Sequence, residues 1–210
     1  MTNIEKKIAK ELLQIKAIKL EPAKPFTWAS GWKSPIYCDN RKSLSFPKTR
    51  DMIKNELANI VSSEFPDTDV IAGVATGAIA QGALVADKLN KAFIYIRSGS
   101  KKHGLENLIE GHFSTGQKVV VIEDLVSTGG SSLIAVEALR KAGCIVLGMV
   151  SVFTYGFPLA EKNFKKAGCR LISLTNYEAL IELSIESGLI KNEDLAILKA
   201  WRQNPEIWNS

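Results

Sequence analysis

The chain has 210 residues, 46% of them hydrophobic and 23% charged, which excludes an intrinsically disordered protein and fits one globular domain. Its net charge of +5 comes from basic residues scattered along the chain, except around Lys101-Lys102-His103, so small anionic ligands are favoured over a broad nucleic-acid surface. No apolar run approaches ~18 residues, and the stretch MTNIEKKIAKELLQ is too charged for a signal peptide, so we expect a cytoplasmic protein without membrane contact.

The first part of the chain is predicted to be a helix followed by an ordered cover. Apolar residues recur at helical spacing over residues 4–19. The next stretch, LEPAKPFTWASGWKSPIYCDNR (20–41), has three prolines and two tryptophans, and is too aromatic for a disordered linker. We expect it to pack against another part of the protein.

From residue 48 onward, helical stretches alternate with short apolar runs. The predicted strands are DVIAGV (69–74), AFIYI (92–96), KVVVIED (118–124), CIVLGMVSVF (144–153) and RLISL (170–174). The predicted helices cover 48–64, 78–90, about 130–143 and 157–167, with two more between Tyr177 and Trp208. This alternation indicates right-handed βαβ units and a parallel sheet covered on both faces. We predict a single α/β domain over residues 1–210.

The sequence VVVIEDLVSTGGSS (119–132) joins a predicted strand to two acids and a glycine-rich turn. In open parallel sheets, ligands bind beyond the carboxyl ends of the strands. Residues 127–131 supply backbone N–H groups and hydroxyls, and they lead into the positive end of a helix dipole, which favours phosphate. Glu123 and Asp124 would repel phosphate but suit vicinal sugar hydroxyls, with or without Mg²⁺. The motif therefore predicts a ribose phosphate ligand.

Other interpretations remain open at this point. The two acids could be capping or solvated residues beside an ordinary tight turn. The stretch GVATGAIAQG (73–82) fits a second anion loop, for pyrophosphate, and fits close helix–strand packing equally well. The polar stretch SKKHG (100–104) could be a solvated loop, and aromatic residues of the cover could serve core packing alone.

These residues resemble the type I phosphoribosyltransferases, which bind 5-phospho-α-D-ribosyl 1-diphosphate (PRPP). VVVIEDLVSTGGSS is similar to the signature of that family. FTWASGWKSPIYCDNR (26–41) is similar to the substrate-covering hood of the orotate-specific branch, and IRSGSKKHGLENLIEG (96–111) to its mobile catalytic loop. The resemblance covers most of the chain. It implies a type I phosphoribosyltransferase-like parallel sheet flanked by helices, with an N-terminal hood (about 1–45) and a mobile loop (about 98–111).

The resemblance also implies roles for individual residues. Glu123 and Asp124 would hold the ribose hydroxyls, and either could contact an Mg²⁺ bound mainly through the substrate. Arg97, Lys101 and His103 would be the catalytic residues and reach the pyrophosphate from the neighbouring subunit of a homodimer. The implied PRPP-binding set is Arg97, Lys101, His103, Glu123, Asp124, Leu125, Val126, Ser127, Thr128, Gly129, Gly130 and Ser131.

Orotate would be bound by Ser127, Tyr37 and Lys33, with Tyr37 stacked on the ring and Lys33 near the carboxylate. Four positions depart from residues that some family members carry. Gly77, Ser98 and Ala29 stand where a lysine can occur, and Tyr155 where an arginine can contact orotate. Backbone N–H groups, Lys33 and Lys101 would then carry more of the anion binding.

The implied activity joins orotate to PRPP and releases orotidine 5′-monophosphate and pyrophosphate, a step of pyrimidine biosynthesis. A purine phosphoribosyltransferase with the same PRPP site is one alternative, against which the hood sequence argues. A PRPP-sensing regulator that binds nucleic acid without turnover is another, but no helix-turn-helix or basic arm is evident.

Overall fold

The computed structural model describes residues 2–28, 31–97 and 108–208. Lys101 and His103, with Ala29 and Ser98, therefore lie outside the described residues. The fold divides into two compact units: unit 1 comprises residues 1–49 and 175–210, and unit 2 comprises residues 50–174. Unit 1 contains the predicted hood, and the single-domain organisation stays a prediction. None of the helices in the described ranges is long and apolar enough to cross a membrane.

The described elements follow the predicted alternation closely from residue 47 onward. The helices are α1 (Asn3–Gln14), α2 (Pro47–Glu64), α3 (Ile79–Leu89), α4 (Gly130–Lys141), α5 (Pro158–Lys166), α6 (Tyr177–Glu186) and α7 (Asn192–Gln203), with a 3₁₀ helix at Asn40–Ser45. The strands are β1 (Ile18–Leu20), β2 (Phe26–Thr27), β3 (Lys33–Ser34), β4 (Ile36–Cys38), β5 (Val70–Val74), β6 (Ala92–Ile96), β7 (Ile109–Glu110), β8 (Lys118–Val126), β9 (Ile145–Thr154) and β10 (Leu171–Asn176).

The first helix is shorter than its apolar spacing predicts. Thr2 and Glu5 form a capping box at its start, but the helix ends at Gln14 rather than near residue 19. Lys16 adopts a left-handed conformation with φ of 55°, which turns the chain back. Ile18 then pairs with Cys38 in an antiparallel ladder between β1 and β4. Tertiary pairing thus overrides the helical periodicity at Ile18.

The described part of the predicted aromatic cover packs within unit 1, as predicted. Trp28 donates a hydrogen bond from Nε1 to the carbonyl of Ile36 at 3.0 Å, and its ring meets Trp201 of α7 edge-on at 5.7 Å. Trp201 is fully buried and donates from Nε1 to the carbonyl of Lys33 at 3.1 Å. Since each indole N–H has a partner, these large rings pack without leaving a buried donor unsatisfied.

The core of unit 2 is a six-stranded sheet in the order β10-β9-β8-β5-β6-β7. Strand β5 pairs in parallel with β6 and β8, and β8 pairs in parallel with β9. All five residues of β5 are buried, as expected for a central strand covered on both faces. The predicted parallel α/β sheet is confirmed.

Strand β7 corrects the predicted extent of the mobile loop. Residues 109–110 fall inside the predicted loop of about 98–111, yet they pair antiparallel with Ile96 and Tyr95 of β6. The Arg97 amide donates to the Leu108 carbonyl at 2.9 Å, and Leu108 is buried. A strand of two residues carries too little periodicity to be recognised from sequence.

Strand β8 extends two residues beyond its predicted end at residue 124. It continues to Val126, which pairs with Thr154 of β9. Glu123 and Asp124 therefore lie within the strand, and Leu125 and Val126 belong to the sheet rather than to the turn.

Candidate active site

The candidate site begins where β8 passes into α4. Only residues 127–129 separate the two elements. Gly129, the N-cap residue, has φ of 79° and ψ of 1°, a left-handed conformation that a glycine adopts without strain. No side chain of the described residues caps this helix end. The N–H groups of its first turn have no helical acceptor, so the turn is suited to an anion.

Glu123 is held in place by two hydrogen bonds and is only 5% exposed. Its Oε2 accepts from the Ser132 hydroxyl at 2.8 Å, and its Oε1 accepts from the Asp124 amide at 3.0 Å. Burial, followed by the nearby charge of Asp124, raises the pKa of Glu123 well above its usual range. Ser132 is itself buried. It lies one residue beyond the predicted PRPP-binding set, and the sequence gives no signal for this contact except its place in the first turn of α4.

Asp124 faces the connection between β5 and α3. A Cβ atom added to Gly77 would overlap Oδ2 of Asp124, so the carboxylate occupies the space next to this glycine. The structure thereby brings the two predicted anion loops, residues 73–82 and 127–131, to one edge of the sheet. Gly82 also lies against Gly73 across the helix–strand contact, so the packing interpretation holds for the ends of the first loop.

Arg97 lies at the end of β6, where the predicted catalytic loop begins. Its Nη1 donates to Oε1 of Glu110 in β7 at 2.9 Å, and the two side chains are 25% and 40% exposed. The contact engages one of the five donors of the guanidinium, which leaves others available for a phosphate ligand. Glu110 was not predicted as a site residue.

The sequence matches a known family over all of unit 2 and beyond it. Residues 48–187 match the family described as Phosphoribosyl transferase domain, a range that contains both anion loops and the two carboxylates. The chain belongs to the phosphoribosyltransferase family. The resemblance stated from the sequence is therefore confirmed.

Individual relatives place this phosphoribosyltransferase more closely. It is 59% identical over 210 residues to an orotate phosphoribosyltransferase of Bacteroides thetaiotaomicron, covering 100% of this chain and 99% of the relative. The solved orotate phosphoribosyltransferase of Aeropyrum pernix is 27% identical with a TM-score of 0.76, covering 88% of this chain and 99% of that one. The UMP synthase of Leishmania donovani is 27% identical with a TM-score of 0.78, and the match covers 94% of this chain and 42% of that one.

The fold gives a physical reason for two of the departures from the family pattern, at Gly77 and Tyr155. At Gly77, the volume that a lysine side chain would enter is occupied by the Asp124 carboxylate. Tyr155 is 2% exposed, with its ring stacked on Phe157 at 5.4 Å and edge-on to Phe153 at 5.1 Å. Tyr155 of this phosphoribosyltransferase is therefore a packing residue at the end of β9.

The predicted orotate-binding residues of the hood lie in unit 1, whereas Ser127 lies in unit 2. Lys33 in β3 donates from Nζ to Oγ1 of Thr27 at 2.8 Å on the exposed side of the β2–β3 hairpin. Tyr37 in β4 is 37% exposed, with its ring tilted against Phe26 at 5.7 Å. The ring of Tyr37 thus keeps accessible surface, while Trp28 serves the packing of unit 1.

Proposed function

We propose that this phosphoribosyltransferase transfers the 5-phosphoribosyl group from PRPP to orotate, giving orotidine 5′-monophosphate and pyrophosphate in pyrimidine biosynthesis. The observation that carries the proposal is the junction of β8 and α4, where paired carboxylates near the end of the strand are followed, after Val126 and a three-residue turn, by an uncapped helix N-terminus. This junction matches the two halves of a ribose 5-phosphate, a diol and a phosphate. The full-length relative named for orotate supplies the choice of base.

The chemistry is a displacement at the anomeric carbon. The N1 nitrogen of orotate loses its proton to solvent and forms the new bond to C1 of the ribose, while the bond from C1 to the pyrophosphate oxygen breaks and its electron pair leaves with the pyrophosphate. Positive charge develops on the sugar and negative charge on the leaving group. No protein nucleophile is needed, so the chain contributes positioning and charge stabilisation.

Each part of the substrate has a proposed partner. Glu123 and Asp124 accept hydrogen bonds from the ribose hydroxyls, and residues 127–131 donate to the 5′-phosphate. Arg97, Lys101 and His103 are proposed to receive the pyrophosphate, on which charge accumulates as it leaves. Tyr37 and Lys33 would hold the orotate ring and its carboxylate, together with Ser127.

The residues present fit a magnesium ion that is held mainly through the substrate. In the described ranges, no group of three or more His, Cys, Asp or Glu side chains is placed to hold a metal ion. Both oxygens of Glu123 accept hydrogen bonds within the protein, and either Glu123 or Asp124 could supply a single carboxylate ligand. When bound, Mg²⁺ would neutralise charge on the pyrophosphate oxygens.

The proposal includes a homodimer in which the catalytic loop of one subunit serves the site of the other. Two inactive variants test this arrangement: Lys101→Ala in the loop and Asp124→Asn in the ribose site. Mixed dimers would contain one site with both residues intact, so activity should reappear when the two variants are unfolded, mixed and refolded together. Absence of any regained activity in verified mixed dimers would overturn the shared site.

The activity itself is tested by incubating the protein with PRPP, Mg²⁺ and orotate and following the loss of orotate absorbance. Parallel reactions contain adenine, hypoxanthine or xanthine in place of orotate. We expect rapid, PRPP-dependent consumption of orotate with stoichiometric pyrophosphate release. Turnover of a purine but not orotate would reassign the base, and PRPP binding without pyrophosphate release would reassign the protein as a sensor.

A further inference from the structure

A side chain on α5 reaches the proposed phosphate turn. The Nδ2 of Asn163 donates a hydrogen bond to the Thr128 carbonyl at 3.0 Å. Asn163 lies 35 residues further along the chain and outside the predicted site. The contact is between a side-chain amide and a main-chain carbonyl, so it fixes the backbone of the turn rather than a side chain.

The helix that carries Asn163 is itself anchored against the turn and against α4. A Cβ atom added to Gly129 would lie 2.7 Å from Cε2 of Phe164, so this buried ring lies directly against the turn. Arg140 of α4 donates to the carbonyls of Ala167 at 2.6 Å and Gly168 at 3.0 Å, just beyond the end of α5. Three separate contacts therefore hold α5 in register with the β8–α4 junction.

The hydrogen bond from Asn163 determines where an amide of the turn points. The peptide joining Thr128 to Gly129 is trans, and its carbonyl and N–H point in opposite directions because the unit is planar. With the Thr128 carbonyl directed at α5, the Gly129 N–H is directed away from α5. Glycine tolerates either sign of φ, so the chain alone does not prevent this peptide from flipping.

We propose that Asn163 is a positioning residue for phosphate binding, which holds the Thr128–Gly129 peptide so that the Gly129 N–H faces the 5′-phosphate. This inference rests on the proposed function in that the anion at the turn is the 5′-phosphate of PRPP. Loss of the Asn163 donor leaves the Thr128 carbonyl without this partner and frees the peptide to rotate. Phosphate then loses a charge-assisted hydrogen bond.

Two variants separate hydrogen bonding from packing. A cleft of about 470 Å³ between α4 and α5 reaches Gly130 and Asn163, so water can enter beside a truncated side chain and bridge to the carbonyl. Asn163→Ala permits that replacement. Asn163→Leu keeps the branched shape and the number of side-chain heavy atoms, excludes the water and cannot donate, so it is the sharper test. Asn59→Ala, an exposed position on α2, is the matched control.

The readout is binding of two anions that occupy different parts of the site. Ribose 5-phosphate tests the turn, and pyrophosphate with Mg²⁺ tests the other loops; both are titrated by phosphorus NMR with the melting temperature as a check on folding. We expect Asn163→Leu to weaken the binding of ribose 5-phosphate about 10- to 100-fold and the binding of pyrophosphate less than about 2-fold. The affinity of Asn163→Ala for ribose 5-phosphate should lie between those of Asn163→Leu and the wild type.

Unchanged ribose 5-phosphate affinity in Asn163→Leu would overturn the assignment, as would equal weakening of both anions, because a general loss of structure does not discriminate between them. Failure of the proposed function would give a different experimental result. A wild-type protein that binds ribose 5-phosphate in an Asn163-dependent manner but does not consume orotate would retain this inference and lose the activity.

Discussion

The Ser132 hydroxyl donates a 2.8 Å hydrogen bond to the Glu123 carboxylate, and both residues are buried. Ser132 belongs to the first turn of α4, whereas Glu123 belongs to β8, so the bond ties the helix that follows the proposed phosphate turn to the strand that carries the two acids proposed to bind ribose. The position of the carboxylate is thus linked to the position of the first turn of α4.

Glu123→Gln should stabilise the protein at neutral pH while lowering its activity. Burial raises the pKa of Glu123, so the folded state binds a proton more tightly than the unfolded state does. Stability conferred by the wild-type side chain therefore falls as pH rises from the unfolded value, about 4.3, through the raised folded value. Each pKa unit of difference between the folded and unfolded states changes the free energy of unfolding by about 1.4 kcal/mol, or Tm by a few degrees.

Thermal unfolding of both proteins between pH 4 and pH 8 measures this difference. The Tm advantage of Glu123→Gln should be largest at pH 8 and vanish near pH 4, while kcat/KM falls at least ~10-fold because a ribose hydroxyl loses a carboxylate acceptor. A constant Tm difference across the range would contradict the buried, proton-binding carboxyl.

Ser132→Ala should impair PRPP use through Glu123. Removing the hydroxyl takes away one of the two hydrogen bonds to the carboxylate, and loss of such a partner from a buried group costs about 1–3 kcal/mol. We expect KM for PRPP to rise about 5- to 10-fold. A double-mutant cycle with Glu123→Gln is the measurement that assigns the cause, because the effect of Ser132→Ala should shrink in that background. Additive effects would mean that Ser132 acts elsewhere.

Glu110 should orient Arg97 rather than stabilise the fold. The ion pair is partly exposed, and such pairs contribute less than about 1 kcal/mol, so Glu110→Ala should leave Tm nearly unchanged. The kcat/KM of Glu110→Ala for PRPP should fall about 3- to 10-fold, because the Arg97 side chain is no longer held in one orientation. Glu110→Gln keeps an acceptor for Nη1 and should restore most of the rate. Equal rates in all three proteins would exclude this role.

Gly77→Ala should damage function more than stability. The new methyl group would meet the carboxyl end of the Asp124 side chain rather than backbone, so the side chain would turn away and leave the proposed ribose site. We expect kcat/KM to fall at least ~10-fold with Tm within about 2 °C of the wild type. In an Asp124→Asn background, Gly77→Ala should lower kcat/KM only slightly further. An undiminished fall in kcat/KM in that background would mean that Gly77→Ala does not act through Asp124.

Lys101→Ala should lower kcat by at least ~10²-fold without changing the melting temperature or the circular dichroism spectrum. The proposed role of this lysine is to meet charge on the departing pyrophosphate, an interaction that strengthens in the transition state. Lys102→Ala removes the adjacent charge and serves as the control with a near-normal rate. Steady-state kinetics of the two variants decide the assignment, and near-normal turnover in Lys101→Ala would refute it.

The sequence by itself determined the alternation of strands and helices from residue 47 onward and the strand–acid–glycine order of residues 119–132. Both are local features, because a buried strand or an amphipathic helix is predicted by the pattern of residues that are neighbours in the chain. The family followed from the same short motifs. The roles of the individual site residues remain predictions, with Lys101 and His103 outside the described residues.

Only the tertiary structure decided which of these segments meet. Asn163 approaches Thr128, Gly77 lies against Asp124 and Glu110 pairs with Arg97 because the sheet order places β9, β8, β5, β6 and β7 side by side and brings their connections together. The end of α1 was decided in the same way, by pairing of Ile18 with Cys38. Periodicity along a chain specifies which face of an element is apolar, but it does not specify the partner that covers that face.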